Sequence, residues 1–364
     1  TKVTFTGKGT IDATAFEDCS GIIMYGYKQS VKDYTVLTID KDVTVKTDNH
    51  YVIWVVNNGT PSNGGYYSAY GTVVNISGKL YGENSGVLYI NGNIQDTEGY
   101  VPTFNINDGA VLESPNGIGI YAAGYAKWNF GKATVKGAES GVGLKAGKFV
   151  FNETNVQGTG ENNPSPDKWG NGINPSGAAL QVETNAGYAD NIEIEINGGT
   201  YESKKGHSFL EYVGETTVID MKITDGKFKS ASGLDVFNVT NNFNIEKFIS
   251  GGTYSSKILK KYIADEYTLF ADSDKYVVAK DGDYELDFPL FIRVGQSVNL
   301  DYTATGGYKD YLTFKSSDNS VATIKDNKIT GVNGGNSGIY TICGTTNVKN
   351  ATVTGGTYGI YTKG

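Results

Sequence analysis

Hydrophobic and polar residues alternate along much of this chain, most clearly in the stretch NIEIEINGGTY at Asn191–Tyr201. Three isoleucines alternate there with Glu193 and Glu195, and a period of two residues is typical of a strand with one buried face. Gly198 and Gly199 follow, and glycine adopts backbone angles that a side chain disfavours. The pattern therefore predicts a strand, a sharp turn and a second short strand.

The same unit recurs along the chain, with an apolar residue three positions before a glycine and another two positions after it. Gly199 and Gly226 are 27 residues apart, and Gly226 and Gly252 are 26 apart. A weaker member places Gly137 28 residues after Gly109. A repeated phrase with a period in the twenties predicts stacked units of one solenoid. Short strands without helices indicate that this solenoid is a single-stranded parallel β-helix. The alternative is a β-sandwich, whose strands usually come every 8–12 residues and carry no repeated phrase.

The repeats predict a β-helix over residues 1–285, with the N-terminal cap and first rungs in Thr1–Thr47 and a long insertion at Thr159–Tyr188. Near the end of this domain, apolar residues of Ser255–Tyr267 have a helical spacing, which predicts a short amphipathic helix as the C-terminal cap. Thr268–Leu286 is expected to form a hairpin that extends this cap.

Residues 286–345 have a different pattern, with short alternating strands separated by Gly, Asn and Asp turns. This spacing predicts a small all-β sandwich after the solenoid. The tail, residues 346–364, contains YGIYT, which repeats SGIYT at Ser337–Thr341. The tail is therefore either the last sandwich strand or the beginning of a further solenoid.

Charge and hydropathy narrow the range of partners. The chain has 364 residues, a net charge of −8 and a single arginine, Arg293, whereas nucleic acids and anionic membranes attract basic patches. No apolar run approaches the length of about 20 residues that spans a bilayer, so no membrane insertion is expected in this segment. The chain begins without Met or a signal peptide, which suggests a mature or excised part of a longer protein. We expect a monomer located at a bacterial cell surface or secreted.

Two stretches resemble known families. VGQSVNL (Val294–Leu300) and LTFKSSDNSVATIKDNKITGV (Leu312–Val332) resemble the group-2 bacterial immunoglobulin-like domain, with Phe314 where that family often has tryptophan. The GGTY units and NGINPSGAALQVETNAGYADNIEIEINGG (Asn171–Gly199) resemble glycine-rich, pectate-lyase-like β-helix proteins on the surface of gut bacteria. This resemblance implies a right-handed coil. It also implies an adhesin-like, lyase-like or glycosidase-like protein, since the fold does not select the function.

Candidate catalytic chemistry is sparse. Glu193 and Glu195 lie two positions apart on one strand face, a separation of about 7 Å that falls within the range for glycosidase acid/base pairs. Alternating Ile and Glu also describes any half-buried strand, so no catalytic residue is assigned. Two histidines and two distant cysteines give no zinc spacing, and neither a metal nor a cofactor is predicted.

Aromatic residues give the remaining functional signal. Trp169 lies in the insertion near Asn171 and Asn174, and an aromatic face flanked by amides suits a sugar. Trp128 is a further candidate, although either tryptophan could instead pack against the solenoid. The sequence therefore favours a non-catalytic, adhesin-like protein that binds a glycan or a host or matrix surface. A polysaccharide-active enzyme with its site beside the insertion, or a structural stalk, is the alternative.

Overall fold

A computed structural model describes residues 1–17, 19–25, 35–56, 71–92, 101–162, 175–183, 192–212, 219–239, 243, 245–282, 284–287, 294–311, 319–320, 322–326, 328–332, 337–341 and 358–362. The chain divides into two compact units. The first comprises Thr1–Asp265 and Ser273–Val277, and the second comprises Glu266–Asp272 and Val278–Gly364. The first unit thus ends before the limit at residue 285 expected for the β-helix.

The first unit consists of short strands in chain order: β1 Lys2–Phe5, β2 Gly9–Asp12, β3 Ile22–Tyr25, β4 Val36–Ile39, β5 Val43–Thr47, β6 Ile53–Val56, β7 Val73–Ile76, β8 Lys79–Gly82, β9 Gly86–Asn91, β10 Thr103–Ile106, β11 Val111–Ser114, β12 Ile118–Ala123, β13 Lys127–Phe130, β14 Thr134–Gly137, β15 Ser140–Leu144, β16 Lys148–Phe151, β17 Thr154–Gly158, β18 Ala178–Glu183, β19 Ile192–Ser203, β20 Phe209–Tyr212, β21 Ile219–Lys229, β22 Phe237–Asn238 and β23 Thr253–Tyr254. Strands three apart in this order pair in parallel from β1 to β18, so the chain passes through three sheets in every rung. The predicted parallel β-helix is confirmed; the hand of the coil stays a prediction.

The first sheet is held in register by one buried column of apolar side chains. Each member pairs with the next across neighbouring strands, and all are fully buried: Ile39, Ile76, Ile106, Phe130, Phe151, Ile196, Ile223 and Ile249. Strand alternation sends every second side chain inward, and a slip of one residue would expose the whole column. The hydrophobic pattern therefore fixes the register.

The second and third sheets repeat this arrangement. The inward column of the second sheet is Val45, Leu80, Leu112, Val135, Val156, Tyr201, Phe228 and Tyr254. The inward column of the third sheet is Ile22, Ile53, Leu88, Ile120, Val142, Leu180, Phe209 and Phe237. The three columns meet in a single narrow core that runs along the coil.

The repeated glycine phrase is confirmed for three rungs and wrong for a fourth. Tyr201, Phe228 and Tyr254 pair in register, which aligns Gly199, Gly226 and Gly252 at the junction of the first and second sheets. Gly199 has φ 95°, and a Cβ there would overlap the carbonyl oxygen of Thr154. The junction therefore requires glycine. Gly137, by contrast, pairs with Ser114 and Gly158 at the end of second-sheet strands, whereas Gly109 lies in a turn before β11. The spacing of 28 residues between Gly109 and Gly137 therefore does not place them at equivalent positions of their rungs.

The C-terminal cap of the first unit differs from the predicted amphipathic helix. Only Lys260–Tyr262 is helical, as a single 3-10 turn. Ile258 and Tyr262 are buried, but Leu259 is 58% exposed, so these apolar residues do not share one helical face. Ile249 instead pairs with Ile263 in an isolated bridge, and Thr253 and Tyr254 pair antiparallel with Val277 and Tyr276. The last rung is therefore covered by an irregular segment and by one strand that pairs antiparallel with it.

The second unit contains antiparallel pairs. Its elements are β24 Tyr267–Asp272, the end of β25 (Lys275–Lys280), β26 Tyr284–Asp287, β27 Ser297–Asn299, β28 Asp301–Ala304, α1 Tyr308–Tyr311, β29 Ala322–Lys325, β30 Lys328–Gly331, β31 Ser337–Thr341 and β32 Tyr358–Thr362. β26 pairs with β28, and β30 pairs with both β27 and β29, all antiparallel. The Asp281 N–H donates to the Glu266 carbonyl at 2.7 Å, as expected at the open end of a hairpin. β31 and β32, in contrast, pair in parallel.

Candidate binding site on the third sheet

The outer face of the third sheet carries an unusual column of residues, here called the aromatic column. In register from rung to rung it consists of Trp54, Tyr89, Tyr121, Gly143 and Gln181. Outward positions of a half-solvated sheet are normally polar and exposed. In this column Tyr121 is 5% exposed and Gln181 is fully buried, whereas Trp54 and Tyr89 are half-buried.

The rings of this column form a continuous stack. Tyr89 lies at its centre, with ring centroids 5.6 Å from Tyr121, 6.0 Å from Trp54 and 4.7 Å from Tyr51. The Trp54 Nε1–H donates to Asn91 Oδ1 at 3.1 Å, which fixes the indole orientation. The residue in register with Trp54 in the preceding rung is Ile23, which is 41% exposed. Trp54 is therefore the first ring of the stack.

Two glutamates accompany the rings. Glu183, at the end of β18, is fully buried, and the Gln181 Nε2–H donates to Glu183 Oε1 at 2.8 Å. Ser176 donates in turn to Gln181 Oε1. The register Leu144–Val182 places Lys145, 5% exposed, one rung before Glu183. Buried charges in proteins are paired or hydrogen-bonded, and the Gln181 amide supplies such a hydrogen bond to one of the two Glu183 carboxylate oxygens.

Gly143 explains how Glu183 comes to lie beside the rings. A Cβ at Gly143 would be 3.3 Å from Tyr121 Cδ2 and 3.4 Å from Glu183 Oε1. The missing side chain thus allows the Tyr121 ring and the Glu183 carboxylate to approach the backbone from opposite rungs. A larger residue in this position would separate them.

Glu139, in the turn before β15, is the second acidic group of the cluster. Burial raises the pKa of Glu139 to about 7. The pKa of the Tyr51 hydroxyl is also raised, first by burial and then by the charges of Tyr89, Glu139 and Glu183. Both carboxyl groups are therefore electrostatically coupled to the same phenol. We call Tyr51, Trp54, Tyr89, Tyr121, Glu139 and Glu183 the aromatic site.

The residues predicted from sequence do not assemble into this site. Trp169, Asn171 and Asn174 lie outside the described residues, as does much of the Thr159–Tyr188 insertion. Trp128 is fully buried in the first sheet and stacks on Phe104 at 4.0 Å and on Phe149 at 5.9 Å. Its ring fills the core, so the prediction that Trp128 binds a ligand is corrected by the structure.

Glu193 and Glu195 lie on the outer face of the first sheet, as the alternation predicts. Glu193 forms an ion pair with Lys148 at 3.1 Å, and Glu195 lies in register with Val150 and Lys222. Both side chains are half-exposed on a sheet face. Asp220 is the in-register neighbour of Glu193 in the next rung, and among the described residues no ring or carboxylate of the aromatic site lies in register with Glu193 or Glu195.

The sequence contains a signal for the aromatic site that the repeat analysis missed. VIWVV, VLYIN and GIYAA at Val52–Val56, Val87–Asn91 and Gly119–Ala123 carry an aromatic residue at the same position of three consecutive rungs. The hydrophobic pattern of all three stretches predicts core strands. The third sheet is nearly apolar on both faces, so period alone does not reveal which side each ring occupies.

Comparisons with known proteins found no match: no protein-family model, no curated protein and no solved structure matches this sequence. Among the described residues, no group of three or more His, Cys, Asp or Glu could hold a metal ion. Within that same part of the chain, no helix is long and apolar enough to cross a membrane. The function must therefore be inferred from the chemistry of the site itself.

Chemically, the aromatic site combines apolar ring surface with hydroxyl and carboxyl groups. Aromatic rings provide C–H-compatible surface, and Tyr hydroxyls and carboxylates exchange hydrogen bonds with polar ligands. The stack is rigid because each ring is braced by its neighbours one rung away. Such a surface suits a ligand that presents both C–H faces and hydroxyl groups, which describes a carbohydrate.

Proposed function

We propose that this chain is part of an extracellular bacterial surface protein that binds a glycan without turning it over. The observation that carries the proposal is the braced ring stack of Trp54, Tyr51, Tyr89 and Tyr121 beside Glu139. The parallel β-helix supports it by placing these residues at fixed rung spacing. The adhesin-like role and the location at the cell surface of a gut bacterium belong to this proposal.

The second unit belongs to the same proposal as an immunoglobulin-like spacer. The strand pairs β26–β28, β27–β30 and β29–β30 are antiparallel, as such a domain requires, and the Val294–Leu300 and Leu312–Val332 phrases resemble that family. The parallel pair of β31 and β32, with Gly338 and Gly359 21 residues apart, favours the tail as the beginning of a further solenoid.

The glycan proposal is tested with a glycan array that includes mucin and plant polysaccharides. We expect the purified chain to bind at least one glycan, and Tyr89→Ala to reduce that binding at least about tenfold, as for a central aromatic contact. Tyr81→Ala is the matched control, since Tyr81 is an outward tyrosine on the second sheet, where it donates to Glu83. Retained binding in Tyr89→Ala, with the fold intact by circular dichroism, contradicts the assignment of the site.

Trp169→Ala belongs in the same experiment, because Trp169, Asn171 and Asn174 stay a prediction. Loss of binding in Trp169→Ala alone would move the site to the insertion. Absence of binding to every glycan, together with absence of turnover, would favour the stalk.

A second candidate function is glycoside hydrolysis or polysaccharide cleavage. The observation in its favour is that Glu139 has a pKa of about 7 through burial while Glu183 lies beside the same tyrosine. A protonated Glu139 carboxyl can donate to a glycosidic oxygen as the C–O bond breaks, while a water adds to the sugar carbon and releases its proton to solvent. New reducing ends or unsaturated products that disappear in Glu139→Gln would establish this function and exclude simple binding.

A further inference from the structure

A second surface feature lies on a different face of the coil, at the junction of the first and second sheets. Asparagine side chains form a ladder on the outer face of the first sheet, in which each amide donates to the preceding rung. Asn75 Nδ2 donates to Thr38 Oγ1 at 3.4 Å, Asn105 Nδ2 to Asn75 Oδ1 at 2.8 Å, and Asn129 Nδ2 to Asn105 Oδ1 at 2.9 Å. The ladder ends at Asn129, because the next residue in register is Val150.

A second ladder runs beside it, through the residue that follows each first-sheet strand. Backbone hydrogen bonds align Ser77, Asn107, Gly131 and Asn152 in successive rungs. Asn107 Nδ2 donates to Ser77 Oγ at 3.0 Å, and further along Asn197 Nδ2 donates to Asn152 Oδ1 at 3.1 Å. At Gly131 there is no side chain, so this ladder has a gap of one rung.

The gap is bounded by polar atoms that have no partner within the described part of the chain. They are Asn107 Oδ1 on one side, Asn152 Nδ2 on the other, and Asn129 Oδ1 from the neighbouring ladder. Asp108 Oδ1 accepts from the Lys132 N–H at 2.7 Å at the edge of the gap. A Cβ at Gly131 would overlap this Asp108 oxygen. The absence of a side chain at Gly131 therefore keeps the gap open.

These residues line an open groove of about 480 Å³, a volume within the range of small-molecule sites. We propose that this groove binds a neutral sugar residue, whose hydroxyls donate to the Asn107 and Asn129 carbonyls and accept from the Asn152 amide. A sugar hydroxyl both donates and accepts, so it completes the interrupted ladder.

Charge favours a neutral sugar over the other ligand classes. Asp108 is the acidic residue in the lining, and Lys132 forms an ion pair with Glu153 at 3.9 Å, so an anionic sugar would meet repulsion without a spare cation. A divalent cation usually takes six to eight oxygens from several carboxylates and carbonyls. One carboxylate, half engaged by a backbone N–H, and an amide donor suit a cation poorly.

The test is saturation-transfer NMR with neutral trisaccharides of galactose, mannose and N-acetylglucosamine. We expect transfer to at least one of them from the wild-type chain. Asn152→Asp, which replaces the donor by an acceptor, should weaken its binding at least about fivefold, the change that loss of one hydrogen bond produces. Gly131→Asn, which fills the gap, should do the same. Asn155→Asp, at an exposed position on the second sheet, is the control and should bind as the wild type does.

The outcomes distinguish this groove from the aromatic site. Tyr89→Ala should leave the groove's binding unchanged, so failure of the glycan proposal there does not decide this one. Absence of transfer from all three trisaccharides overturns the proposal. Transfer that is equal in wild type, Asn152→Asp and Gly131→Asn also overturns it. Calcium chloride that shifts the Asn107 and Asn129 side-chain resonances, without any sugar effect, would make the groove a cation site instead.

Discussion

Two columns of outward-facing residues, one on the second sheet and one on the third, differ in the side chains that stack from rung to rung. The second sheet carries what we call the charge column, which in register consists of Asp12, Lys46, Tyr81, Glu113, Lys136, Gln157, Glu202 and Lys229. Its charges pair between neighbouring rungs, as in Lys46–Asp12 at 3.7 Å and Lys136–Glu113 at 3.8 Å. The aromatic column has rings, a glycine and a buried glutamine at the same positions.

The difference between the two columns is the reason for placing the proposed site on the third sheet. Exposed ion pairs between long side chains contribute little to the free energy of unfolding. Charged side chains mainly keep a sheet soluble and disfavour its pairing with strand edges of other molecules. Buried polar groups such as Gln181 and Glu183 are costly unless they are fully hydrogen-bonded. A protein that needed only a rigid rod could have repeated the charge column on all three sheets.

The largest expected effect on stability is at Gln181, and Gln157 serves as its comparison. Each of these two glutamines donates a hydrogen bond to a glutamate. Gln181→Ala removes the buried donor to Glu183 and the acceptor of Ser176, and we expect a loss of about 2–3 kcal/mol in the free energy of unfolding. Gln157→Ala removes a half-exposed donor to Glu202, and the loss should be below about 1 kcal/mol. Urea denaturation measures both. Equal losses would contradict the distinction between the two faces.

A smaller effect is expected at Gly143. In Gly143→Ala the new methyl group would lie 3.1–3.4 Å from Ile118, Tyr121 and Glu183, so these neighbours must shift. We expect a destabilisation of about 1 kcal/mol in denaturant unfolding, at the low end for overpacking. The Tyr121 ring should also move relative to Tyr89, which near-ultraviolet circular dichroism detects. A neutral or stabilising effect would show that the outer face of the third sheet is loosely packed.

Glu139 and Glu202 should give opposite dependences of stability on pH. The pKa of Glu139 is raised from 4.5 to about 7 by burial. Between these values the folded state holds a proton that the unfolded state has lost, so Glu139 makes the protein less stable as the pH rises through this window. The Glu202 pKa is raised by burial, but hydrogen bonds from Lys204, Lys229 and Gln157 outweigh this and lower it. The stability that Glu202 contributes is therefore present above pH 4.5 and is lost as the pH falls.

Paired variants isolate these two contributions from the other titrating groups. Relative to Glu139→Gln, the wild type should lose stability between pH 5 and pH 8. Relative to Glu202→Gln, it should lose stability between pH 6 and pH 3. Slopes of the same sign in both comparisons would contradict the assigned environments of these carboxyl groups.

The β-helix could be predicted from the sequence because alternation and register are local properties. The Ile192–Ile196 alternation and the Gly199, Gly226 and Gly252 spacing recur in the structure as aligned positions. The aromatic site could not be predicted in the same way. Tyr51, Tyr89 and Tyr121 come from three different rungs, and Glu139 and Glu183 come from two others. Their proximity depends on the register between stacked rungs and on Gly143, whose role appears only when rungs are stacked.

The smallest expected effect is at Glu193, on the outer face of the first sheet. Its ion pair with Lys148 is partly exposed, so Glu193→Gln should change the free energy of unfolding by less than about 1 kcal/mol. The change should shrink further in 0.5 M sodium chloride, because salt screens exposed pairs. Glu195→Gln is the matched control, since it alters the adjacent outward carboxylate. If Glu193→Gln or Glu195→Gln instead abolished cleavage of a glycan, the first sheet would be the chemical face, and the contrast between the charge and aromatic columns would no longer locate the site.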